Sequence, residues 1–180
     1  ITEGKTTTKV TAYPKFRSGY VWDQSKPTEG DFTFQMTFRH EGYFEPDAAW
    51  PTGLAVCYGT GYWEGWRLYI HGPDQKALFQ LGVPEGANGP TSLETTMPVS
   101  RGQWHRIALT WRSTDDGLGM MRIHLDGEFV SSLKGVPAPI ILTDQYLDKT
   151  IVLGNAGMGL GALKLEVASI DYSPAALDDQ

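Results

Sequence analysis

An all-β fold, a two-sheet antiparallel β-sandwich, is the architecture this sequence predicts, on three observations. Apolar and polar residues alternate with a period of two along most of the chain, the pattern of strands with one buried face. No window places apolar residues at i, i+3, i+4 and i+7 between helix caps. The chain carries 21 glycines and 11 prolines, ordinary for strands joined by turns and many for a helical protein. Ten or so short strands, each with one polar face, close most simply as two sheets on one core.

The elements follow in order. A weak alternation over residues 7–13 opens the chain. Phe32, Phe34, Met36 and Phe38 then share one face of a strand, opposite Thr33, Gln35, Thr37 and Arg39. A shorter run covers residues 54–59. In the next strand Trp66, Leu68 and Ile70 oppose Arg67, Tyr69 and His71, and residues 77–83 supply its neighbour. His105, Ile107, Leu109 and Trp111 alternate with Trp104, Arg106, Ala108 and Thr110; Met121, Ile123 and Leu125 alternate with Arg122 and His124. Asp126-Gly127 separates that last run from residues 128–133, and Asp-Gly between alternating runs is a strong hairpin signal. Residues 150–153 form a short strand, and Leu163, Leu165 and Val167 alternate with Lys164, Glu166 and Ala168 in the last.

Composition bounds what such a domain can do. The 180 residues suit one domain spanning the whole chain, and no break in composition, linker or repeat divides it. With 15 basic and 21 acidic residues the net charge is −6, the wrong sign for a nucleic-acid partner. No apolar run approaches the ~18 residues of a membrane span. Cys57 stands alone, so neither an intrachain disulfide nor a cysteine metal cage is available. Ile1 opens onto a polar, turn-prone stretch without a leader, as in a processed protein or an excised module.

Several of these strands resemble a known family. Gly65-Trp66-Arg67-Leu68-Tyr69-Ile70 followed by Leu78-Phe79-Gln80-Leu81 resembles the paired middle strands of laminin G-like domains. Gly102-Gln103-Trp104-His105-Arg106-Ile107-Ala108-Leu109 is similar to that family's G-x-W-H strand, and Met121–Glu128 to the hairpin that follows it. The resemblance, over about residues 30–175, is to the laminin G-like branch of the concanavalin A-like lectin/glucanase superfamily. The tail, Ala162-Leu163-Lys164-Leu165-Glu166, departs from the usual acidic ending. What the resemblance implies is a jelly-roll sandwich, glycan or cell-surface recognition, and a lectin-like module of the kind attached to sialidases and other glycosidases.

Catalytic patterns are sparse. A glycosidase of this superfamily carries two carboxylates on one strand facing one groove, and no strand here has that pattern. Glu64 stands among aromatics, and Asp115-Asp116 falls in a polar turn, where neighbouring side chains diverge. A lyase of the same superfold needs a sheet-borne set of Arg, Gln, His and Tyr. Arg67, Tyr69 and His71 share a face, which keeps that class open. Gly157-Met158-Gly159-Leu160-Gly161-Ala162 fits a dinucleotide fingerprint by letter, but an alternating strand follows where the pyrophosphate needs a helix. The four histidines are scattered, and His40-Glu41 has no second histidine four residues on, so no zinc site is predicted.

Sugar recognition draws on flat rings and polar neighbours, and three places could supply them. The glycine-flanked hairpin with Tyr62, Trp63 and Glu64 lies outside strand register and is the preferred site. The loop with Tyr43, Phe44 and Trp50 is the second. Trp66 and Trp111 fall in apolar register and belong to the core; Trp104, part of the family's motif, is expected to pack as well; Trp22 fits either role. The third place is a polar sheet face. Arg39, Arg67, Arg106 and Arg122 all point away from the apolar side, joined by Tyr69, His71 and His124. Guanidinium forks match carboxylates and sulfates, so if some of these strands share the concave sheet, the face suits an anionic glycan.

No cofactor is required. Calcium is frequent in the family resembled, and Asp115, Asp116, Asp144 and Asp148, all in predicted turns, are its candidate ligands. The sequence therefore predicts a non-catalytic module that binds an oligo- or polysaccharide. It is expected to be exported, at a cell surface or in the periplasm, as part of a larger glycan-active or surface protein. The alternatives are an adhesion module with a protein partner and an enzyme of the same superfold.

Overall fold

A computed structural model describes residues 10–12, 20–22, 30–43, 52–57, 65–71, 74–82, 91–138, 151–154, 163–173 and 176. Twelve strands form in it: β1 (Val10–Ala12), β2 (Tyr20–Trp22), β3 (Phe32–Tyr43), β4 (Thr52–Cys57), β5 (Trp66–His71), β6 (Lys76–Leu81), β7 (Thr91–Pro98), β8 (Trp104–Ser113), β9 (Gly119–Leu125), β10 (Glu128–Val136), β11 (Ile151–Leu153) and β12 (Leu163–Ser173). No helix occurs among the described residues.

The strands divide into two six-stranded sheets, one ordered β1-β12-β3-β8-β9-β10 and the other β2-β11-β4-β5-β6-β7. Every pairing is antiparallel. Chain neighbours pair within β4 to β7 and within β8 to β10, while β12 returns to lie between β1 and β3. The expected sandwich is present, with two strands the alternation did not signal, β2 and β7.

One core fills the space between the sheets. The alternate residues Phe32, Phe34, Met36 and Phe38 of β3 meet Trp66, Leu68 and Ile70 of β5, all buried. The Phe34 and Trp66 rings lie 4.8 Å apart between centroids, and Phe32 stacks on Trp66 at 6.0 Å. Aromatic pairs at these separations add to the area they remove from water. Trp111 is buried as predicted, and its indole lies so close to Gly119 that a Cβ there would fall 2.4 Å from Cε2. The Asp126-Gly127 hairpin also forms: both residues have positive φ, 55° and 92°, as a two-residue type I′ turn requires.

His105 ties that hairpin to the rest of its sheet. Its Nδ1 lies 2.8 Å from Asp126 Oδ2, and its Nε2 lies 3.2 Å from the Ser100 carbonyl oxygen. The backbone N–H of Arg106 donates to Asp126 Oδ1 at 2.8 Å. The Trp-His strand and the Asp-Gly turn are thus two halves of one structural clasp. His40, at an inward position of β3, is fully buried. Its Nε2–H donates to the Val99 carbonyl at 3.1 Å, while Nδ1 meets no partner among the described residues.

Candidate functional site

The two outer faces of the sandwich carry the polar side chains, and register decides which of them share a face. Alternation along β5 turns Trp66, Leu68 and Ile70 inward and places Arg67, Tyr69 and His71 on the outward face of the second sheet. Arg67 pairs with Val56 on one side and Gln80 on the other, while Tyr69 pairs with Gly53 and Leu78. These positions make two rows across the sheet, about 7 Å apart at two residues per repeat. An outward face would ordinarily meet water. Here Arg67 keeps only 5% of its surface and Tyr69 and Leu78 7% each, and Tyr69 and Leu78 form a small apolar cluster of their own. The face is enclosed.

The other three arginines lie elsewhere. Arg39 on β3, Arg106 on β8 and Arg122 on β9 occupy the outer face of the first sheet, with His124. Non-local pairing divides the four arginines, three on one sheet and Arg67 on the other. Arg39 Nη2 donates to Glu166 Oε2 at 2.6 Å, and Arg106 Nη2 donates to Gln35 Oε1 at 2.5 Å. His124 is pushed below its ordinary pKa, first by burial and then by the Arg122 charge beside it; its ring meets Phe129 edge-on at 5.6 Å.

Trp104 corrects a second expectation. It is 45% exposed, on the outer face beside Arg39, whose guanidinium carbon stands 5.3 Å from the ring centroid. The period-two pattern had grouped it with Arg106 and Thr110, and the family motif argued for packing; the pattern decides. Gln80, opposite Arg67, is the neighbour the sequence did not single out, because only the β5–β6 register brings the two together.

Tyr62, Trp63, Glu64 and Trp50 lie outside the described residues, and Tyr43 and His71 are described by their backbone alone. Among the calcium candidates, Asp144 and Asp148 also lie outside them. Asp116 uses its Oδ1 within its own turn, accepting from the Thr114 hydroxyl at 2.6 Å and the Leu118 N–H at 3.1 Å, and these bonds hold its pKa below the usual carboxylate value. Asp115 is exposed, and no three His, Cys, Asp or Glu residues gather among the described residues. No described helix is long and apolar enough to cross a membrane.

Comparison with known proteins places this geometry. No curated protein matches the sequence. Among solved structures, the carbohydrate-binding module of the Ruminococcus gnavus IT-sialidase, bound to α2,3-sialyllactose, superposes with a TM-score of 0.63 at 16% identity, over 97% of this chain and 92% of that one. An endo-β-1,4-glucuronan lyase from Trichoderma reesei superposes at 0.58 with 14% identity, over 96% and 91%. A botulinum neurotoxin type G receptor-binding domain gives 0.55 at 16%, over 82% of this chain. The chain spans only 35% of that domain's length, and the same share of the binding domain of a paraclostridial mosquitocidal protein. At such identities the likeness is one of fold. A laminin G profile described as the concanavalin A-like lectin/glucanases superfamily matches residues 20–164, the span that contains both the clasp and the enclosed Arg67 face, and the chain belongs to that family.

Proposed function

We propose that the chain is a non-catalytic carbohydrate-binding module that reads an acidic glycan on the outward face of β5. The observation that carries this reading is the placement of Arg67 and Tyr69 at successive outward positions of β5, on a face that points away from the core. A guanidinium offers five donors in a rigid fork, so one held in place by its surroundings is pre-oriented for a carboxylate or sulfate. Tyr69 beside it adds a ring and a hydroxyl, and His71 continues the row. The sialidase module with its acidic trisaccharide supports the reading, because the two chains are nearly coextensive. Tyr43, Trp50, Tyr62, Trp63 and Glu64 enter the proposal from the sequence alone, as rings and an acceptor for the uncharged part of the glycan. Export, a larger parent protein and a structural calcium belong to the same proposal; added calcium that leaves the melting temperature unchanged after chelation would remove the last.

A glycan array of sialylated, uronic, sulfated and neutral chains tests the reading. Acidic chains should bind, and binding should weaken only modestly as salt rises, since screening acts little on an enclosed charge such as Arg67. Arg67→Ala should lower affinity for an acidic chain roughly tenfold, about 1.4 kcal/mol. Arg67→Lys, which keeps the charge and loses the fork, should fall between. Acidic chains that bind a folded Arg67→Ala protein unchanged would overturn the assignment. A second reading, a module that docks on protein, draws on Met97, Phe129 and Leu133, which are exposed on β7 and β10. An array without a single hit would favour it.

A further inference from the structure

Trp104 opens β8, an interior strand of the first sheet, where an outward indole meets water instead of a core. The ring is nonetheless held. Its register partner on β3 is Arg39, and the register partner of Arg39 on β12 is Glu166. The Arg39 guanidinium stands 5.3 Å from the Trp104 centroid, donates to Glu166 at 2.6 Å, and has its Nε 3.9 Å from Glu41 Oε1. Acid, base and indole thus form one row across three adjacent strands, spaced by roughly 4.8 Å per strand. The cation fixes the ring, and the carboxylates fix the cation.

Such a row has a definite recognition chemistry. The indole offers a flat apolar platform with 45% of its surface exposed. The arginine offers donors and the glutamates acceptors, within about 10 Å of one another across the row. A sugar hydroxyl both donates and accepts, and a pyranose presents an apolar C–H face beside a rim of hydroxyls, so one ring can engage all three. Within the row Arg39 stands between two carboxylates, which offset its charge. The surroundings also speak against a protein partner. The other exposed large apolar residues among the described ones, Met97, Phe129 and Leu133, lie on β7 and β10 and not beside Trp104, so no broad apolar patch is centred here.

We propose that the Glu166–Arg39–Trp104 row is a second carbohydrate subsite, on the sheet opposite Arg67, and that it takes a neutral pyranose. It rests on its own residues and not on the acidic-glycan reading. With both faces engaged, one molecule would hold two chains, or two stretches of one branched chain, and gain avidity without further contacts.

The test follows the indole Nε1–H of Trp104 by NMR in the full chain, with the resonance identified by its loss in Trp104→Phe. The probes are cellohexaose, mannohexaose and maltohexaose, with sialyllactose for the opposite face. One neutral hexasaccharide should shift the Trp104 resonance equally in the wild type and in Arg67→Ala. Trp104→Ala should bind it about tenfold more weakly, with melting nearly unchanged because the ring is half exposed. Glu166→Gln, which keeps the shape and frees the guanidinium, should weaken it severalfold; it serves as the readout should Trp104→Ala fail to fold. The proposal is overturned if no hexasaccharide at about 10 mM, far above a typical lectin range, moves the resonance, or if both variants bind like the wild type. Sialyllactose shifts that vanish only in Arg67→Ala report on the other face and leave this result independent.

Discussion

His40 shows how one enclosed side chain sets a response to acid. Burial, the largest influence, holds its pKa below the usual 6.5, against the Val99 carbonyl that its ring meets; Arg101 and His105 push the same way as burial, and Glu41 opposes them. The unfolded chain therefore takes up a proton that the folded ring resists, and stability rises with pH through this group. Its contribution is complete above about pH 6.5 and is lost as pH falls towards the lowered folded value; His124 has the same sign. Melting temperature should drop between about pH 7 and about pH 5, and His40→Gln, which keeps a donor for Val99, should show a shallower slope. A wild-type melt that is level across that window contradicts the account. Gly119 makes a different single-residue prediction. An alanine Cβ there would overlap the Trp111 ring at 2.4 Å, and overpacking of this kind costs about 1–3 kcal/mol. Gly30, with open space around its position, is the control: Gly30→Ala should be neutral or slightly stabilising in urea titrations. At this scale the sequence was informative wherever a residue's neighbours along the strand decide its fate, as for Trp66 and Trp111. It was silent on the enclosure of Arg67, which depends on what lies above the sheet.

Strands and turns were legible in proportion to their regularity. β5 alternates without a break and its bounds are read directly from the residues, whereas β7, with Leu93 as its one described buried apolar residue and a register irregularity opposite Lys76 and Leu78, carries no pattern to read. β2 is three residues long, too short for a period to show. The Asp126-Gly127 turn was the clearest local signal, and its strength has a measurable source. Asp126 supplies both a left-handed backbone position and two acceptors, one for the Arg106 N–H and one for His105. Asp126→Ala should cost about 2–3 kcal/mol, the sum of two hydrogen bonds and a strained φ. Asp126→Asn, which tolerates that φ and keeps one acceptor, should cost about half. Equal losses in chemical denaturation would show that the carboxylate's hydrogen bonds, and not the backbone conformation, carry the effect. Pairing partners were the part that sequence could not supply: the four arginines look alike along the chain, and only the order of strands assigns them to two faces.

Taken as a molecule, the sandwich has a superfold that hosts binders, lyases and toxins alike, so activity has to be argued from the faces and not from the architecture. The isolated chain should release no unsaturated products from glucuronan under conditions where Arg67-dependent binding to an acidic chain is measurable. Turnover abolished by His71→Ala would instead make the Arg67, Tyr69 and His71 row a lyase centre. One feature of the sheet order bears on how the molecule carries load. β1 lies antiparallel along β12, with Val10 beside Val167 and Ala12 beside Leu165, so the first residue of β1 and the last of β12 lie towards the same end of the sheet. Tension applied at Val10 and Ser173 would part β1 from β12 like a zipper, one hydrogen-bonded pair after another, instead of shearing all the rungs together. Because rungs that fail in sequence share none of the load, a module pulled in this way yields at its terminal strand first, while β8 and β9, which hold the clasp, lie beyond β3 in the sheet order.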